Sequence, residues 1–153
     1  MKKIFLPIFL IFVLNACTSY RALKHFNKDI SYTQAVLYSK KADIVYKDVV
    51  KTIFYATFMN KVHEKYDDKY YNFVIGIYSE EETLSDYALS LNNISYEKIK
   101  DIKQDSKIYK SISLKNAWAK YYYVSFKKDK DITSILLELR DSNYKKASIS
   151  FLN

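Results

Sequence analysis

Tyr71-Asn72-Phe73-Val74-Ile75-Gly76-Ile77-Tyr78 is the stretch on which the fold turns. Successive side chains of an extended chain point to opposite faces, so Tyr71, Phe73, Ile75 and Ile77 share one face and Asn72, Val74, Gly76 and Tyr78 the other. The first set is directed toward a core. Upstream, residues 49–59 are dense in Val, Ile, Phe, Tyr and Thr, which suit a pleated, half-buried surface, and predict a central strand with a shorter one at 43–46 before it. Downstream, Tyr87, Leu89 and Leu91 alternate with Ala88, Ser90 and Asn92, which predicts a strand with one wet face.

The same period of two runs through Ile108, Lys110, Ile112 and Leu114 against Tyr109, Ser111 and Ser113. It continues in Trp118, Tyr122, Val124 and Phe126 against Ala119, Tyr121, Tyr123 and Ser125, then in Ile135, Leu137 and Leu139, and in Ala147, Ile149 and Phe151. Residues 94–102 fit either a short helix or an irregular strand. Turn chemistry separates the runs at Asn60, Asp67-Asp68, Asn92-Asn93, 129–131 and 141–143, because Asn and Asp tolerate left-handed backbone and bond to their own main chain. Seven or more one-sided strands at short spacing predict a mainly β chain built as an antiparallel sandwich with polar outer faces. The order of the strands and the single Trp118 resemble an immunoglobulin-like sandwich.

The chain has 153 residues, with one glycine, Gly76, and one proline, Pro7. A phosphate-cradling loop needs several glycines for close backbone approach, so such loops are excluded. There are 25 basic and 17 acidic residues, and the positive ones are dispersed. A basic excess can attract anionic lipid headgroups or acidic glycans, but its dispersal reads first as a solvated, mixed-charge surface.

Ahead of the strands, residues 18–39 carry Leu23, Phe26, Ile30, Val36 and Leu37 at a spacing nearer three or four than two. This predicts an amphipathic helix or helical linker, either a plain tether or, as its bulky apolar residues favour, a segment packed in part on the sandwich through Phe26, Ile30 and Leu37. Further upstream, Lys2 and Lys3 precede an apolar run, 4–14, and small Ala16 follows it: the three parts of an export signal. The run covers only about half of a ~30 Å hydrocarbon core and contains Pro7, so it does not read as a span.

Leu14-Asn15-Ala16-Cys17 resembles the lipobox of bacterial lipoproteins. The resemblance implies that Leu14 and Ala16 are read by a signal peptidase and that the lone Cys17 is lipidated and becomes the first residue of the mature chain. The resemblance covers the signal alone; with the change of period near Lys41 the domain plan is signal peptide 1–16, lipidated lead-in 17–40 and β-sandwich 41–153. By the best-known sorting rule of that family, Thr18 after the cysteine points to the outer rather than the inner membrane, facing the periplasm. Loss of Lys2 and Lys3 leaves the mature part with 23 basic and 17 acidic residues. With export, nucleic acid is not an expected partner. Cys17 has no second cysteine to pair with.

His63-Glu64 with Asp67-Asp68 is the densest group of ligand-type side chains, but Lys65 and Lys69 interrupt it and the segment also reads as an exposed hairpin loop. His25 has no acid or nucleophile near it in sequence. No serine sits in a glycine-flanked elbow. The run Glu80-Glu81-Glu82 reads as an acidic loop tip. Tyr121 and Tyr123, extended by Tyr109 and Tyr144, predict an outward aromatic platform for a sugar ring or a protein partner, unless the N-terminal helix covers that face. The chain as a whole therefore reads as a lipid-anchored envelope protein that binds a protein or glycan, or serves as an accessory subunit. No catalytic residue, cofactor or metal is expected. The alternative is a small envelope hydrolase using His63 or His25.

Overall fold

The computed structural model describes residues 30–66, 69–80, 83–128 and 132–153. Residues Ser31–Asn153 form one compact unit. The chain order is helix α1 (Ile30–Leu37), β1 (Ser39–Tyr46), β2 (Val49–Phe58), β3 (Tyr70–Ser79), β4 (Ala88–Leu91), β5 (Ile94–Ser95), β6 (Lys98–Ile102), helix α2 (Lys107–Ser111), β7 (Lys120–Lys127), β8 (Ser134–Arg140) and β9 (Lys146–Leu152). Short 3-10 turns at Met59–Lys61, Glu64–Tyr66 and Leu84–Asp86 complete it.

Two antiparallel sheets result, with strand orders β1-β2-β3-β7-β6 and β5-β4-β8-β9. β3 sits at the centre of the larger sheet, paired with β2 (Phe54↔Ile77, Phe58↔Phe73) and with β7 (Phe73↔Val124, Gly76↔Tyr121). Its Tyr71, Phe73, Ile75 and Ile77 enter the core between the sheets, as the alternation predicts. They meet Phe54, Phe58, Val124 and Phe126 of their own sheet and Leu89, Leu91, Ile135, Leu137, Leu139, Ile149 and Phe151 of the other. Phe73 stacks on Phe58 at 4.9 Å between centroids and meets Phe126 edge-on at 6.0 Å. Area burial drives this centre, with ring geometry adding about 0.5–1.5 kcal/mol per pair.

Scarce glycine is replaced as expected at Asn92 and Asn93, both at positive φ between β4 and β5. Lys47 and Asp48 do the same between β1 and β2, joining the two upstream strands into one hairpin. Residues 94–102 resolve into β5 and β6 rather than a helix.

Three expectations are corrected. Residues 108–114 do not form a strand. Ser106 caps a short helix there by accepting the Tyr109 amide at 3.2 Å, and only Ile112 beyond it is fully buried. Trp118 is 81% exposed, in the turn before β7, and contributes nothing to the core. The immunoglobulin-like resemblance loses its tryptophan. Finally, β3 is not one-sided: Val74 and Asn72 on its other face are also buried, under a second layer.

That second layer brings Ala35 of α1, Met59, Val62, Ile112 and Ala119 onto Val74 and Tyr121, flanked by Tyr55, Tyr66, Tyr78, Tyr109 and Tyr123. A largely buried polar network fastens residues 60–66 to β3 and β7. Asn60 Oδ1 accepts the Asn72 amide at 2.7 Å, Asn72 Nδ2 donates to the Tyr66 carbonyl at 2.9 Å, and Ser125 Oγ donates to Asn72 Oδ1 at 2.7 Å. Each buried polar atom named here has a partner, so the burial does not carry the full desolvation cost.

Candidate functional site

The tyrosine platform is not an outward surface. Tyr121 is 3% exposed, and its ring lies across Gly76 on the neighbouring strand, where a Cβ would stand 2.5 Å from the ring. Its hydroxyl accepts the Asn116 amide at 2.7 Å, and burial pushes the phenol up to about 12. Tyr123 is half-buried beside Tyr66 at 6.2 Å, and Tyr109 lies on α2, edge-on to Tyr121 at 4.9 Å. The physical reason is cover: α1, the 3-10 turns at Met59–Lys61 and Glu64–Tyr66, α2 and the loop leading to Ala119 close over this face. Alternation assigned Tyr121 and Tyr123 to the correct side of β7 but could not reveal the layer above it. Tyr144 stays exposed, at 83%, in a turn rather than on a strand.

His63 is exposed. Its Nδ1 accepts the Lys65 amide at 3.1 Å, and its ring is edge-on to Tyr66. Asp67, Asp68, Glu81, Glu82, His25, Leu14, Ala16, Cys17 and Thr18 lie outside the described residues. Among the described residues, no group of three or more His, Cys, Asp or Glu is placed to hold a metal ion, and no helix is long and apolar enough to cross a membrane.

A better-formed site lies at the end of the sandwich where β1 meets β2 and β8 meets β9. There a cleft of about 410 Å³ is lined by Ile44, Tyr46, Val49 and Val50, by the Tyr78–Glu80 end of β3, and by Asp141, Asn143 and Lys145. This volume lies within the usual range for ligand pockets, about 300–1,000 Å³. Local sequence explains its shape. The ladder pairs Ile44 with Thr52 and then Val45 with Val50, so Lys51 is an extra residue in β2. Such a bulge bends a strand and re-aims side chains; here Lys51 joins the lining.

The opposite wall is a stiff turn. Asp141 Oδ1 accepts the amides of Asn143 at 2.9 Å and Lys145 at 2.8 Å, and the Asp141 amide donates to the Lys145 carbonyl at 2.9 Å. The floor is closed by Ile44 and by Thr52, whose hydroxyl bonds the Tyr87 hydroxyl at 2.7 Å. Tyr46, Val49 and Val50 remain about half exposed around the mouth. The chemistry on offer is an apolar floor with a rim of two lysines, Lys51 and Lys145, and two carboxylates, Glu80 and Asp141. That arrangement suits holding an amphipathic group rather than transforming one.

A shallower hollow of about 400 Å³ runs from β6 to the start of β7, lined by Asp101–Gln104 and Ala119–Tyr122. Burial, with the Asp101 carboxylate beside it, raises the Tyr122 phenol. The cleft differs from this hollow in having walls from both sheets. Sequence reading missed the cleft because its parts lie far apart in the chain; the exposed Val49-Val50 pair was its one visible signal. No family model, curated protein or solved structure matches this chain.

Proposed function

We propose that the protein is a lipid-anchored envelope protein that acts by binding: Cys17 carries the acyl anchor, and the two-sheet domain presents its end cleft to an envelope protein or glycan. The support for the anchor is the sequence 14–17, Leu-Asn-Ala-Cys, behind a charged and then apolar leader. Two or more acyl chains hold a protein stably, since each buried methylene contributes about 0.8 kcal/mol. On this reading the protein faces the periplasm from the outer membrane and is not an enzyme.

The observation that carries the binding half is the cleft itself, where three half-exposed apolar side chains, Tyr46, Val49 and Val50, line a preformed hollow. Apolar groups gathered around a concavity are what a partner desolvates with least reorganisation. The immunoglobulin-like connectivity is the finer reading of the domain; it rests on two antiparallel sheets alone, without Trp118.

Crosslinking in intact cells, followed by identification of the adduct, tests the proposal. A defined envelope component captured by the native chain and lost with Tyr46→Ala supports it. Capture that is indifferent to Tyr46 removes the cleft from the account.

A further inference from the structure

Helix α1 is oriented against the expectation for its apolar residues. Its one buried residue is Ala35, which packs in the second layer, while Ile30 is 78% exposed, Leu37 64% and Val36 50%. At about 100° per residue, Ile30 and Leu37 lie on the same side of the helix and Ala35 stands roughly 160° from Leu37. The helix thus turns its small residue to the domain and its bulky apolar face away. The domain holds it further through Ser113 Oγ, which donates to the Ala35 carbonyl at 3.0 Å. A helix of eight residues has little stability alone, and one buried alanine adds little to it.

We propose that this outward face rests on the lipid surface to which the chain is anchored, so that the domain is docked on the membrane and not merely tethered to it. The proposal rests on the lipidation of Cys17. Reach allows it: twelve residues separate Cys17 from Ile30, and at full extension these place the helix within about 45 Å of the lipidated residue. Charge favours it over a second copy of the chain. Residues 18–29 hold Arg21, Lys24 and Lys28 against Asp29, a basic excess that anionic headgroups attract and an identical segment repels. In sequence the apolar row also continues toward the anchor, with Phe26 four and Leu23 seven positions before Ile30. The larger sheet, on which Ala35 packs, then lies nearest the bilayer, and the four-stranded sheet faces away.

The test uses the mature lipoprotein, purified from membranes and reconstituted in vesicles of phosphatidylethanolamine and phosphatidylglycerol. An environment-sensitive fluorophore is attached at Leu37→Cys, or at Ser134→Cys on the exposed outer side of the smaller sheet. Near-ultraviolet circular dichroism confirms that both variants are folded. The docked state predicts blue-shifted emission at position 37 and quenching by nitroxide-bearing lipids at least twofold stronger than at position 134. Water-like emission at position 37, equal to that at 134, overturns the proposal. A blue shift without lipid quenching also overturns it, because a protein surface then covers the helix. Labelling of the unsubstituted chain at a free Cys17 thiol is a separate result, and it defeats the anchor.

Discussion

Gly76 and Tyr121 face each other across the β3–β7 ladder, and the only glycine in the chain is there to let the ring lie flat on the strand. The Tyr121 hydroxyl is tied to the Asn116 amide, so the ring has little freedom to move aside. Gly76→Ala should therefore destabilise the domain by about 1–3 kcal/mol, the usual range for overpacking. Urea unfolding with an unchanged m-value measures this. Burial raises the Tyr121 phenol from 10 to about 12. A phenol raised in the folded state keeps its proton where the unfolded chain has lost it, so the stabilisation is complete below about pH 10 and declines as pH rises toward 12. The loss of stability across that window should be shallower in Tyr121→Phe, as read by denaturant midpoints at each pH. A single residue that alternation sends outward is thus among the most constrained in the molecule.

At the scale of elements, much of the sandwich is legible because a strand's period of two depends only on local geometry. β3, β4, β8 and β9 put toward the core the residues their alternation selects. Tyr121, Ser125 and Val74 show the limit: parity gives the face of the sheet, not what covers that face. Apart from α1, the cover here consists of two 3-10 turns, a five-residue helix and a loop, which are too short to show a period. Residues 108–114 misled for the same reason, since apolar residues two apart also fit a capped turn of helix followed by Ile112. α1 shows a different failure, in which spacing identified the apolar face correctly but not its direction.

The smaller sheet adds a feature that no pattern announces, a carboxylate on its outer side at 6% side-chain exposure. Glu138 accepts Lys146 Nζ at 2.6 Å and Ser148 Oγ at 3.0 Å, with Arg140 at 3.9 Å. The Lys146 hydrogen bond leads in holding its carboxyl below the usual 4.5, against burial. A carboxyl lowered in the folded state stabilises above its unfolded value, and that contribution is lost as pH falls through the lowered one. Glu138→Gln should accordingly lower stability at pH 7 and flatten the acid limb below about pH 4.5, measured by thermal unfolding from pH 7 to 3.

At the scale of the whole molecule, the lead-in and the cleft end have different proposed tasks. From α1, β1 runs eight residues to the cleft, roughly 26 Å at strand rise. Residues 14–17 form a short linear pattern, which is why an anchor can be proposed from sequence; the cleft, assembled from two hairpin ends and the end of β3, has no linear pattern to read. Cys17→Ala should abolish incorporation of labelled fatty acid, and persistent incorporation would defeat the anchor. The central claim, that the cleft end of a tethered sandwich is the binding surface, is tested most directly by photo-crosslinking position by position in intact cells. A photoreactive side chain at Val49 or Tyr144 should yield one adduct of defined mass, with none from Ser134 or Lys100. Adducts from Ser134 or Lys100 with none from Val49 or Tyr144 would contradict it.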